Sequence, residues 1–205
     1  DSYSQPNVPP VHNVRDIKGK LISTLEKTDV SRLEATGWKA PSPFTVKSAN
    51  GQWDLHGLMY TPNEMKPDAK LPVIVYIYPG PQGGSVGSWG FRASRGDNQA
   101  LAELGFVVVQ LEGSCNPNRS KSFHDACYGD MGENTLSDQI SGLKQLQAQY
   151  KFMDLDKIGI WGHSGGGFAT AAAMFKYPDV FKVGISESGN HDNRNYEDDW
   201  GERYI

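Results

Sequence analysis

Lys157-Ile158-Gly159-Ile160-Trp161-Gly162-His163-Ser164-Gly165-Gly166-Gly167 is the stretch on which the fold turns. Its first five residues read as a strand, and Phe168-Ala169-Thr170-Ala171-Ala172-Ala173-Met174-Phe175 beyond it reads as a helix. Between them, Gly162-His163-Ser164-Gly165-Gly166 fits Gly-x-Ser-x-Gly. In the order strand, sharp turn, helix, that pattern has a mechanism: the turn holds the serine in a strained backbone shape and lifts its hydroxyl above the sheet edge. Small neighbours are needed because the chain passes close to itself there. The helix N-terminus beneath favours developing negative charge. Ser164 is the candidate nucleophile.

Working outward, the flanks repeat the alternation. Phe44-Thr45-Val46-Lys47, the turn Ser48-Ala49-Asn50-Gly51 and the run Trp53 to Tyr60 predict a hairpin, because Asn-Gly supplies the positive φ angles of a tight turn. Leu71 to Tyr78 is continuously apolar, as a strand buried on both faces is, and ends in the loop Pro79-Gly80-Pro81-Gln82-Gly83-Gly84. Asn98 to Leu104 is a short helix and Phe106 to Leu111 another buried strand; residues 112–133 read as a long loop. Leu136, Ile140, Leu143, Leu146 and Tyr150 recur on one face of a helix, and Val180 to Ser186 makes a last strand. Alternating strands and helices imply an α/β fold, a mainly parallel sheet with helices on both faces. Residues 1–40 are polar, carry Pro6, Pro9 and Pro10 and show no period, so they read as an arm or connector rather than a folded unit; residues 41–205 hold the domain.

Composition bounds the rest. A chain of 205 residues is about one domain. Twenty basic against 24 acidic residues, with no basic run, argue against a nucleic-acid surface. No apolar stretch approaches the ~20 residues of a membrane span. The chain opens Asp1-Ser2-Tyr3-Ser4, without start methionine or basic n-region, so residue 1 reads as a processed or engineered end. Cys115 and Cys127 fit no zinc spacing, and with no His-Glu-x-x-His in the chain neither metal nor organic cofactor is implied. The two cysteines either pair across one loop or remain two free thiols. Asn118-Arg119-Ser120 and Arg95-Gly96-Asp97 are formal glycosylation and adhesion tripeptides, short enough to arise by chance.

A serine hydroxyl needs a base, usually a histidine oriented by a carboxylate. In this architecture the order is Ser, then Asp or Glu, then His. Beyond Ser164 the sequence holds one histidine, His191, directly after the first following strand, too early for that order; Asp192, Asp198 and Asp199 are early too. His56 and His124 precede the serine, and the side chain of His163, inside the turn, should point away from it. The acid and base are therefore expected outside these residues. Tyr78 ends a central strand where this architecture builds part of its oxyanion hole, and its phenol can donate to a tetrahedral oxyanion alongside the Gly165 N–H.

Tyr78-Pro79-Gly80-Pro81, the turn Gly162 to Gly167 and Glu202-Arg203-Tyr204 together resemble the prolyl oligopeptidase family, in its dipeptidyl peptidase IV-like bacterial branch, over roughly residues 40–205. The resemblance implies an α/β-hydrolase domain joined to a propeller, with residues 1–40 as the tail of that propeller and its linker. It also implies serine-dependent cleavage of peptides, release of dipeptides after proline or alanine, and a periplasmic or secreted location. By it, Ser164 takes the nucleophile position, Tyr78 and Gly165 those of the oxyanion donors, and Tyr196 and Trp200 those of two aromatics of the proline-accepting pocket. Their spacing of four would put both rings on one helix face. Two departures stand out: Gly165 replaces a pocket tyrosine, and Glu112-Gly113-Ser114 replaces Asp-x-Arg-Gly. Rival expectations are an α/β-hydrolase esterase or acyl-aminoacyl peptidase, and an inactive fragment with a binding or assembly role. A sheet lacking its last strands would expose an edge and apolar surface, making a homo-oligomer possible.

Overall fold

The computed structural model describes residues 1–133 and 135–204, the side chains of Asn193 and Tyr204 excepted. Residues 1–40 differ from the expected arm. They form an antiparallel three-stranded sheet, β1 (Ser2–Gln5), β2 (Val8–Arg15) and β3 (Leu21–Lys27), followed by the single helical turn α1 (Ser31–Glu34). β3 is exposed along its whole length, and the buried residues of β2 are Val11 and Asn13. A ribbon with almost nothing buried on either face has no apolar alternation to read.

The main sheet is built from β4 (Ser42–Lys47), β5 (Asp54–Tyr60), β6 (Leu71–Tyr76), β7 (Val107–Leu111), β8 (Met153–His163) and β9 (Phe181–Glu187). Between them lie α2 (Asn98–Glu103), α3 (Lys121–His124), α4 (Leu136–Gln149) and α5 (Gly165–Lys176), with α6 (Asp198–Tyr204) last. The strand order is β4-β5-β7-β6-β8-β9. β7, β6, β8 and β9 run parallel, and the hairpin β4–β5 adds an antiparallel edge. The six residues 48–53 join β4 to β5, a longer connection than the expected tight turn, with Gly51 at φ 73° but Asn50 outside the positive-φ region.

The apolar runs of β6, β7 and β8 divide between two faces by strand alternation. Val73, Val75, Val109 and Ile160 pack under Leu143 and Leu146 of α4 and Ala169 and Ala173 of α5. Leu58, Tyr60 and Val108 pack under Ala102 of α2 on the other side. Past α2 that second face is open: Val183 and Ile185 on β9 are 61% and 63% exposed. The parallel pairing of β6 with β8 sets Tyr76 opposite Trp161. The loops leaving both strands, at Tyr78 and at Ser164, thus emerge at the same sheet edge.

Candidate active site

Ser164 sits between β8 and α5 at φ 57°, ψ −118°, a region that non-glycine residues rarely enter. The surroundings over-determine that strain. The Ser164 N–H donates to the Glu187 carbonyl at 2.8 Å, and its carbonyl accepts from the Phe168 N–H at 3.0 Å. A Cβ at Gly162 or Gly166 would collide with the Ile77 carbonyl, and one at Gly167 with that of Glu187. The glycines are there because strand, helix and neighbouring strands meet backbone to backbone. Gly165 is different: a Cβ there would find nothing nearer than the Pro79 carbonyl at 3.8 Å.

All five residues singled out from the sequence, Ser164, Tyr78, Gly165, Tyr196 and Trp200, line one cavity of about 320 Å³. Tyr196 and Trp200 pack edge to face, ring centroids 5.6 Å apart. They do not share a helix, which corrects the geometric expectation. Asp192 accepts from the Arg194 N–H at 3.1 Å and winds residues 193–195 into a 3-10 turn, and α6 begins only at Asp198. Behind the cavity, Trp200 packs on Met131 and on Cys115 and Cys127, which form a disulfide. Gln82, Met131, Phe168, Asn190 and Arg203 also line it. They were missed because the loops supplying most of them carry no periodic signal. The side chain of Tyr204, third in the Glu-Arg-Tyr triplet, lies outside the described residues.

Each of the five histidines is engaged elsewhere. His12 contacts Ser2 Oγ at 2.6 Å and His56 contacts Thr45 Oγ1 at 3.0 Å. His124 Nε2 donates to the Pro81 carbonyl at 2.9 Å, and His163 faces Glu187 at 3.6 Å. His191 lies 3.4 Å from Ser186 Oγ and stacks on Phe168.

The loop after β6 is held from beneath by buried polar groups. The Tyr60 hydroxyl donates to Gln110 Oε1 at 2.9 Å, and burial pushes that phenol up to about 12. Gln110 Nε2 donates to the Ser85 carbonyl at 2.9 Å, and Ser85 Oγ accepts the Tyr78 N–H at 3.0 Å. Glu112 accepts the Val86 and Gly87 amides at 2.7 and 3.1 Å. Burial pushes its carboxyl up to about 7, against the pull of those amides.

A mixed sheet flanked by helices on both faces, with a glycine-lined strand–turn–helix at the end of a parallel strand inside the sheet, defines an α/β-hydrolase domain. Residues 91–205 match the prolyl oligopeptidase family. Mouse dipeptidyl peptidase 8 is 31% identical over 183 residues, 89% of this chain and 20% of that protein. Dipeptidyl peptidase 4 of Trichophyton equinum is 30% identical over 209 residues, all of this chain and 27% of that protein. Among solved structures, a candidate dipeptidyl aminopeptidase IV from Bacteroides ovatus superposes with a TM-score of 0.86 at 33% identity, over 100% of this chain and 29% of that one. Porphyromonas gingivalis dipeptidyl peptidase 4 gives 0.81 at 26% identity, over 99% and 29%. The chain belongs to the prolyl oligopeptidase family, and it spans less than a third of the length of these relatives.

Proposed function

We propose that these residues are the serine-bearing part of a dipeptidyl-peptidase-like serine peptidase. Ser164 Oγ attacks the scissile carbonyl while a base takes its proton. The Tyr78 hydroxyl and the Gly165 N–H stabilise the oxyanion of the tetrahedral intermediate. The proton passes to the leaving amine, and water then hydrolyses the acyl-serine. Tyr196 and Trp200 form the wall that receives the side chain before the cut bond. The acid and base come from outside these 205 residues, in keeping with the engagement of every histidine elsewhere. Residues 1–40, a ribbon with little core of its own, belong to the edge of a neighbouring domain and its linker.

One observation carries this reading: a serine held at φ 57° heads α5 in a cavity shared with Tyr78 and the aromatic pair. Intact-mass detection of fluorophosphonate labelling tests it. The full-length polypeptide should gain one adduct, lost in Ser164→Ala, and the isolated 205-residue chain should gain none. Failure of the full-length protein to label overturns the reading. Labelling of the isolated chain places the acid and base inside it. Turnover of dipeptidyl amides ending in proline or alanine, above that of short acyl esters or acyl-capped peptides, is the expected specificity.

A further inference from the structure

We propose that Asn116 and Glu112 are positioning residues for Tyr78, acting as two sides of a clasp on the loop that carries it. The proposal rests on the reading of Tyr78 as an oxyanion donor.

The loop leaving β6, residues 79–87, holds no regular secondary structure, so its backbone groups need other partners. One segment, residues 112–124, supplies most of them, while Gln110 holds the Ser85 carbonyl and Arg95 that of Val86. Asn116 is 5% exposed, and its Nδ2 donates to the Gly80 carbonyl at 3.0 Å and the Gly83 carbonyl at 2.5 Å. These two acceptors fix the amide's orientation, since a flip would set its oxygen against both carbonyls. His124 holds the Pro81 carbonyl between them, and Glu112 accepts the two amides at the loop's far end. Three carbonyls and two amides of the loop are thus bound by side chains of one segment.

The clasp reaches Tyr78 at two points. Gly83, which Asn116 holds, lies against the Tyr78 ring: a Cβ there would stand 3.4 Å from the ring edge. Ser85, next to the residues Glu112 holds, accepts the Tyr78 N–H. A Cβ at Gly84 would run into the Glu112 carboxylate, so the glycine is what lets the carboxylate close on the backbone. The segment is itself anchored. Asp138 on α4 accepts from the Ser114 N–H and Oγ at 2.9 and 2.6 Å, and the Cys115–Cys127 disulfide ties Asn116 to the cavity floor at Met131. A hydroxyl that must meet an oxyanion at hydrogen-bond distance loses effect when its carrier shifts by a fraction of an ångström.

The test uses the full-length polypeptide. Asn116→Asp preserves shape but turns a double donor into an acceptor facing two carbonyls; Glu112→Ala removes the opposite side of the clasp. With a dipeptidyl amide substrate, Asn116→Asp should lower kcat ~10- to 100-fold and Glu112→Ala ~10-fold, each with KM within ~2-fold, as befits a group acting on the transition state alone. In a Tyr78→Phe background either change should cost less than ~2-fold more, because the residues act through Tyr78. Losses that multiply with Tyr78→Phe, or unchanged kcat in both variants while Tyr78→Phe is impaired, overturn the clasp. A Tyr78→Phe enzyme with unchanged kcat overturns the oxyanion reading instead. The clasp then stands or falls on the ¹⁹F resonance of 3-fluorotyrosine at position 78, assigned by its loss in Tyr78→Phe. That line should be single and narrow in the parent and split or broadened in both variants at nearly unchanged Tm. An unchanged line overturns the proposal, and Glu112→Ala decides alone if Asn116→Asp does not fold.

Discussion

Gly162, Gly165 and Gly166 look alike in the sequence but meet different surroundings. A methyl group at Gly162 or Gly166 would enter the Ile77 carbonyl, and backbone cannot move aside as a side chain tip can. Gly162→Ala and Gly166→Ala should each destabilise by about 1–3 kcal/mol or more, read as urea midpoints, with Gly165→Ala within about 1 kcal/mol of the parent. The need for small residues around Ser164 was legible in the pattern itself. Which glycine is dispensable was not, because that depends on how the loop after β6 crosses the helix. Glu112 makes a second prediction at this scale. Its carboxyl is raised to about 7, so between its unfolded value of 4.5 and 7 the folded state binds the extra proton. Stability therefore falls as pH rises through that window. Glu112→Gln should unfold later than the parent at pH 8, by up to roughly 3 kcal/mol, and the gap should close by pH 5. A parent whose advantage grows with pH would sink this.

At the scale of elements, the continuous apolar runs announce β6 and β7, Ile158 and Ile160 in the run before the turn announce β8, and the 3–4 residue spacing of Leu136, Ile140, Leu143 and Leu146 announces α4, because burial imposes a period. Where burial is slight or irregular the sequence is silent. That is the case for β1, β2 and β3, and for residues 112–133, where α3 and a following 3-10 turn replace the expected open loop. The Tyr196–Trp200 spacing misled for a related reason: four positions imply one helix face only if the helix spans both, and Asp192 organises the chain otherwise. The pairing of Cys115 with Cys127, left open by their spacing, closes a loop across twelve positions. Replacing both by alanine should cost about 2–4 kcal/mol in denaturant stability. Because Asn116 and Met131 flank the crosslink, amide exchange at residues 79–87 should be faster in this variant than in the parent, by more than any change at β6. Exchange of the loop unchanged from the parent would mean the crosslink does not support the loop.

The whole molecule is asymmetric in its covering. One face of the sheet is closed by α4 and α5, while the other is closed by α2 only over β5 and β7. Next to α2 lies an apolar recess of about 620 Å³, bounded by Ile74, Leu101, Phe106, Val183 and Ile185. It adjoins β9, the edge strand of the parallel part of the sheet. An apolar recess beside an unpaired strand edge favours contact with another surface, since burying it removes hydrocarbon from water and pairs the strand's open amides and carbonyls. The isolated 205-residue chain should therefore show a mass by light scattering that rises with concentration, and it should bind a hydrophobic dye. Replacing Val183 and Ile185 together by lysine should return it to a monomer and cut the dye signal, since both side chains are already more than half exposed and their loss leaves the core intact. The cavity at Ser164 lies at the end of the strands, apart from this face, so the double variant should leave Ser164 chemistry in the full-length polypeptide governed by its own neighbours. If the isolated chain stays monomeric at every concentration, the recess is too small to drive association alone. If the lysine variant still associates, the contact runs through the three-stranded ribbon of residues 2–27, whose exposed strands offer the alternative edge.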